Sequence, residues 1–190
     1  MIKFIDNNKE LYECLAESMD SYNNYYWSVA WMETPVGLYE KLLQNEHKIR
    51  LLVTGLYGFN NERGTSLDFV KFARHLEPDN EKSPRVLFIT KKYSPGFKHR
   101  VILHSKLYYF ENSDTDWRLV VGSANFSQRA LCALKGNSNL EAVVVCDQDS
   151  FSNAPVKEYF ERIRSAGENF RQFNEKEVKY YLSHYIYGTA

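Results

Sequence analysis

The sequence predicts an α/β fold, a layered sheet of mixed strand directions with helices packed on it. Three observations carry that expectation. Stripes of apolar residues at helical spacing alternate with short aromatic and β-branched runs through the N-terminal half. Leu51-Leu52-Val53 is a continuous apolar run, as in a parallel strand buried on both faces. Farther on, Val101–Phe110 and Trp117–Val121 flank the turn-forming stretch Asn112-Ser113-Asp114-Thr115-Asp116, which spells an antiparallel hairpin. The predicted order is β-α-β-α-β-α-β, then β-β-α-β-α-α.

Taken in order, Ile2–Ile5 is a short strand. Asp6 or Asn7 caps a helix that turns Leu11, Leu15 and Met19 inward. Tyr25–Met32 is a strand with Trp27 and Trp31 on one side and Ser28 and Ala30 on the other. Pro35 opens a helix over Val36–Glu46 that buries Leu38, Leu42 and Leu43. Lys48–Thr54 is a strand, and Gly55–Asn61 a loop at its carboxyl end, where α/β sheets gather ligands. Tyr57 in that loop is a candidate substrate contact; a plain surface loop with one tucked aromatic is the simpler reading. Thr65 or Ser66 caps a helix carrying Leu67, Val70, Ala73 and Leu76, with His75 on its solvated side. Pro78-Asp79-Asn80 is a turn and Arg85–Thr90 a strand. After the hairpin, Ser127 caps a helix over Gln128–Leu134, Gly136-Asn137-Ser138 breaks it, and Leu140–Cys146 is an interior strand. Pro155 opens a long helix with Val156, Phe160, Ile163, Gly167 and Phe170 at helical spacing, and a last helical stretch carries Tyr180, Tyr181 and Leu182.

The charge is segregated. The chain is neutral overall, yet from Lys82 through Phe110 there are seven Lys and Arg and no acidic residue. Lys91, Lys92, Tyr93, Lys98 and Arg100 interleave cations with an aromatic ring, the combination that holds a phosphate backbone and unstacked bases. This segment leads into His104-Ser105-Lys106. On a strand His104 and Lys106 point one way and Ser105 the other. A His and a Lys side by side make a poor core pair and a good anion site. The second hairpin strand ends in Gly122-Ser123-Ala124-Asn125, small residues with free donors, and the helix N-terminus after Ser127 is a natural phosphate seat.

His104-x-Lys106 followed by Gly122-Ser123-x-Asn125, with Asn139-x-Glu141 on the next strand, resembles the phospholipase D superfamily and its single-motif nuclease branch. The family's acidic position is filled by Glu111, separated from Lys106 by four residues, where the family has Asp. The longer gap from there to Gly122 makes Glu111 a turn residue. The resemblance implies a phospholipase D-like mixed β-sheet sandwiched between helices, here one nuclease domain over residues 1–190, and it implies phosphodiester hydrolysis. One imidazole cannot be nucleophile and general acid at once, and His47, His75, His99 and His184 have no Lys two residues on. The resemblance therefore implies a homodimer that brings two copies of His104 to one phosphate. One His104 forms a phosphohistidine and the other protonates the leaving oxygen. Lys106, Asn125 and Ser123 hold the non-bridging oxygens, Glu141 fixes the His104 tautomer, and Gly122 is a substrate-binding position of the motif. The expected cofactor is none, and no metal is expected.

Composition narrows the field. Zero net charge excludes a protein that coats nucleic acid by charge alone. Cys14, Cys132 and Cys146 are odd in number and lack metal-ligand spacing, so they read as small buried hydrophobes in a reducing compartment. The N-terminal run is too short and too polar for a signal peptide, and no run reaches transmembrane length. The expectation is a cytoplasmic protein with no membrane contact. Its partner is nucleic acid, DNA before RNA; either a separate DNA-recognition domain or subunit accompanies it, or it is a non-specific nuclease. Two other readings stay open at this point: a phospholipid or small-phosphodiester hydrolase of the same fold, and a non-catalytic dimeric nucleic-acid-binding module.

Overall fold

A computed structural model describes residues 1–56, 65–76, 85–90, 103–132 and 139–165. The expected turn at 78–80, the break at 136–138, and the helical positions beyond 165 lie outside these residues. The elements are β1 (Ile2–Ile5), α1 (Asn8–Ser21), β2 (Asn24–Val29), α2 (Leu38–Gln44), β3 (Ile49–Leu56), α3 (Leu67–His75), β4 (Val86–Thr90), β5 (Lys106–Ser113), β6 (Asp116–Gly122), α4 (Gln128–Leu131), β7 (Val143–Asp147) and α5 (Ala154–Ser165). The seven strands form one sheet in the order β1-β7-β6-β5-β2-β3-β4. β2, β3 and β4 run parallel, as their helical crossovers require, and every other pairing is antiparallel.

Alternation along the strands divides the core into two layers. Tyr108 and Phe110 of β5, Val120 of β6 and Trp27 of β2 join Leu11, Leu15 and Met19 of α1, Leu38 and Leu42 of α2, Phe69 and Val70 of α3, and Ala130 and Leu131 of α4. On the other face Tyr109, Trp117, Leu119, Leu51 and Val53 pack against Val156 and Phe160 of α5. Four helices thus cover one face and α5 the other. Among the described residues no helix is long and apolar enough to cross a membrane.

Several boundaries differ from expectation, each for a local reason. Asn7 caps α1 as predicted, its side chain accepting from the Glu10 N–H at 2.8 Å. α2 starts only at Leu38, because Gly37 at φ +81° breaks helical geometry ahead of it, and Leu43 faces solvent. β2 stops at Val29, so Trp27 and Trp31 do not share a face: Trp27 lies in the four-helix layer and Trp31 packs toward the α5 layer. β5 begins at Lys106, leaving His104 and Ser105 outside the regular strand, and the hairpin closes through Asp114-Thr115. Asn139 and Glu141 precede β7 and are not strand residues. Glu111 is a strand residue and not part of the turn. It shares a face with Tyr109, accepts that residue's hydroxyl at 2.9 Å, and pairs with Lys157 of α5 at 2.9 Å.

Candidate active site at one end of the sheet

Strand direction collects the site. In register, Val29 at the end of β2 stands opposite Lys106 at the start of β5, Leu107 opposite Val121 near the end of β6, and Gly122 opposite Val143 at the start of β7. Residues 30–31, 104–106, 122–125 and 139–141 therefore meet at one end of the sheet, where the parallel half adjoins the antiparallel half.

His104 is exposed and Lys106 is buried. The Lys106 ammonium donates to the His104 carbonyl at 3.0 Å and stands 3.4 Å from both nitrogens of the His104 ring. It also lies 5.8 Å from the centre of the Trp31 ring. Among the described residues no carboxylate comes within ion-pair distance of it. Burial pushes Lys106 below the ordinary lysine range, against the opposing pull of Glu141. A buried ammonium without a counter-ion, beside an exposed imidazole, is a site that gains by taking an anion.

The turn after β6 is held from several sides. The Gly122–Val143 approach is so close that a Cβ at Gly122 would meet the Ala142 carbonyl oxygen at 2.2 Å. The Ser123 N–H donates to that carbonyl at 3.0 Å, and the Ala142 N–H donates to Ser123 Oγ at 3.0 Å. The Tyr108 hydroxyl donates to the Ala124 carbonyl at 3.1 Å. The Asn125 amide oxygen accepts the Trp31 N–H at 3.2 Å, which leaves its NH₂ group with no partner among the described residues. Residues 32 and 126 form an isolated parallel bridge, and the Glu33 N–H donates to the Phe126 carbonyl at 2.7 Å.

Three expected roles change. Glu141 is buried, but it does not hold the His104 ring: its carboxylate accepts from Ser123 Oγ and, at 3.1 Å, from the Asn139 amide. With its hydroxyl given to Glu141, Ser123 braces the turn and is not the free phosphate donor expected of it. The helix N-terminus is not an anion seat either. α4 has only four residues, the Gln128 N–H is taken by Glu33 at 3.0 Å, and the Ala130 N–H by Ser127 Oγ at 3.3 Å. The structure thus brings together His104, Lys106, Gly122, Ser123, Asn125 and Glu141. Tyr57, Lys91, Lys92, Tyr93, Lys98 and Arg100 lie outside the described residues.

Two groups at the site went unread in the sequence. Trp31 reaches Lys106 with its ring and Asn125 with its backbone, a double role that depends on β2 ending at Val29. Behind the His-Ser-Lys segment, Ser105 Oγ, Ser28 Oγ and the Tyr159 hydroxyl form a closed triangle of 2.6, 2.8 and 3.2 Å. Tyr159 stands three positions from Val156 on a helix whose periodicity marks it only as the flank of a core stripe.

Comparison with known proteins gives the arrangement its kin. NucT from Helicobacter pylori superposes with a TM-score of 0.60 at 12% identity, covering 91% of this chain and 99% of that one. Nuc from Salmonella typhimurium, a phospholipase D family member, superposes with a TM-score of 0.51 at 14% identity, covering 92% and 97%. Phosphatidylserine synthase from Haemophilus influenzae gives 0.58 at 11% identity, over 82% of this chain and 35% of that one. At such identities the likeness is one of fold. A search of curated protein sequences finds no significant match. The family model of the NgoFVII restriction endonuclease N-terminal PLD domain matches residues 33–178, well over half of the chain. The chain belongs to that family, and with it to the phosphodiester hydrolases of the phospholipase D type.

Proposed function

We propose that this chain is a metal-independent endonuclease domain that cleaves DNA through a covalent phosphohistidine, at a site completed by a second copy of itself. The observation that carries the reading is the pairing of exposed His104 with buried Lys106, which has no counter-ion among the described residues, beside an Asn125 NH₂ group that has no partner among them. A phosphodiester fits this set. Its non-bridging oxygens take the ammonium and the amide NH₂, while its phosphorus faces an imidazole.

In the first step a His104 ring nitrogen attacks phosphorus and the bond to the leaving oxygen breaks. The second His104, from the partner copy, gives that oxygen its proton. In the second step the same partner histidine takes a proton from water. The water oxygen bonds to phosphorus, the N–P bond breaks, and both imidazoles return to their starting states. Two Lys106 ammoniums supply the positive charge. Glu141 acts here by holding Ser123 and Asn139 and by its field on Lys106.

DNA is the substrate proposed, because the family is described as a restriction endonuclease domain and the segment 82–110 carries seven Lys and Arg and no acidic residue. The same family description, an N-terminal domain, supports a recognition module elsewhere in the assembly. Three unpaired cysteines support a reducing, cytoplasmic setting.

The test is cleavage of plasmid, single-stranded DNA, RNA and phospholipid vesicles in excess EDTA, wild type beside His104→Ala. DNA cleavage in EDTA that is lost in the variant is expected. Cleavage that needs added metal, or that survives His104→Ala, overturns the mechanism; lipid turnover alone overturns the substrate. Mixing wild type with His104→Ala tests the shared site: mixed dimers are expected to be inactive, and mixed dimers at half activity would refute sharing.

A further inference from the structure

His104 carries the chemistry, yet the sheet does not hold it. The ladder between β2 and β5 ends at the Val29–Lys106 pair; beyond it, among the described residues, the Ala30 N–H donates to the Ser105 carbonyl at 2.9 Å and the Lys106 ammonium to the His104 carbonyl at 3.0 Å. These bonds fix two successive carbonyls, those of His104 and Ser105, and leave the side chain of Ser105 to be held from the other face.

The hydroxyl triangle holds that other face. Ser28 is fully buried on β2, Ser105 lies between His104 and Lys106, and Tyr159 belongs to α5. Each hydroxyl has one proton to give, so three hydroxyls joined by three contacts form a ring in which each donates once and accepts once. α5 is itself keyed to β5 on the same odd-numbered face. The Asn153 amide donates to the Tyr109 hydroxyl at 2.8 Å, and Lys157 pairs with Glu111 at 2.9 Å. The far side of the His-Ser-Lys segment is thus latched to a helix in the opposite layer from α1–α4.

We infer that Tyr159 is a positioning residue for His104: its hydroxyl, through Ser105 and Ser28, locks the segment that presents the imidazole to the phosphate. The inference rests on the proposed histidine chemistry for its kinetic consequence and on geometry alone for its structural one.

The test uses Tyr159→Phe, which removes one oxygen and keeps the ring against Phe160, together with Ser105→Ala and the double variant. Tyr159→Phe is expected to lower kcat about three- to tenfold with KM unchanged, since misplacing a reacting group costs rate more than binding. Its melting temperature is expected to stay within about 3 °C of wild type. The double variant is expected to be no slower than the slower single one, because both changes open the same ring. The His104 ring signals in ¹⁵N-histidine spectra, assigned by their loss in His104→Ala, are expected to broaden or split in Tyr159→Phe. An unchanged kcat, or losses that multiply in the double variant, overturns the inference. If the wild type cleaves nothing, the chemistry proposed above fails. The spectra still decide: unchanged His104 signals in Tyr159→Phe refute the latch, and broadened signals support it.

Discussion

The Lys106 ammonium sits 5.8 Å from the centre of the Trp31 ring, and that ring stands where a buried lysine ordinarily has a carboxylate. An aromatic face stabilises a cation without neutralising it, so the site keeps its full positive charge for an incoming anion. A carboxylate at the same place would compete with phosphate.

Replacing Trp31 separates the ring's field from its bulk. Trp31→Phe retains an aromatic face and discards an indole N–H that is buried with no partner among the described residues. It is expected to bind inorganic phosphate within about threefold of wild type. Trp31→Leu removes the face, and a cation–π contribution of about 0.5–2 kcal/mol predicts phosphate binding weaker by about two- to thirtyfold. Inhibition of cleavage by phosphate measures both. Equal weakening in the two variants would show that the ring acts only by filling space.

The pH dependence follows from Lys106. Burial lowers its pKa from the ordinary value of 10.5, so the ammonium is lost, and activity falls, at lower pH than for a solvated lysine. The Glu141 carboxylate opposes that shift. Glu141→Gln is expected to move the alkaline limb of the pH–rate profile still lower, besides loosening Ser123. Stability has the matching sign. Between the lowered folded pKa and 10.5 the unfolded chain holds more protons, so this group makes stability rise with pH across that window. Below the window the cost of the buried ammonium is fully present. An alkaline limb that stays fixed in Glu141→Gln would remove Glu141 from any influence on Lys106.

Gly122 is a packing requirement with a functional consequence. An added Cβ would stand 2.2 Å from the Ala142 oxygen and 2.7 Å from Val143 Cα, both backbone atoms that cannot turn aside. Gly122→Ala is expected to push β6 from β7 at the site end, costing about 1–3 kcal/mol, or about 2–12 °C in Tm. The Ser123–Glu141 bond spans the same gap, so activity is expected to fall at least about tenfold. Thermal melts and cleavage rates check the two parts separately.

What could be read in advance was what periodicity and short spacing encode. Leu11, Leu15 and Met19 announce α1, Leu51-Leu52-Val53 announces an interior parallel strand, and His104, Lys106, Gly122, Ser123 and Asn125 arrive at one end of the sheet because two strands of a hairpin carry them. What could not be read depends on partners distant in sequence. Ser127 caps a helix as its chemistry says, but Glu33, 95 residues away, takes the Gln128 N–H and closes the anion seat. Glu141 looks like the acid behind a histidine until Ser123 and Asn139 are found on its oxygens. Leu43 fits the apolar run of α2, yet one position past Leu42 it turns off the Leu38–Leu42 stripe and out of the packed layer.

The hairpin of β5 and β6 places its two ends in different environments. One end delivers Lys106 and Gly122 to the site; the other turns through Asp114 and Thr115, about 25 Å away at the usual rise of an eight-residue strand. Asp114 pairs there with Lys157, and no residue of the tip lies among the candidate site residues. The tip is therefore a permissive attachment point. A foreign module spliced between Asp114 and Thr115 would ride on a two-stranded arm whose base is the candidate site, a geometry suited to fusing a chosen DNA-reading unit to this fold.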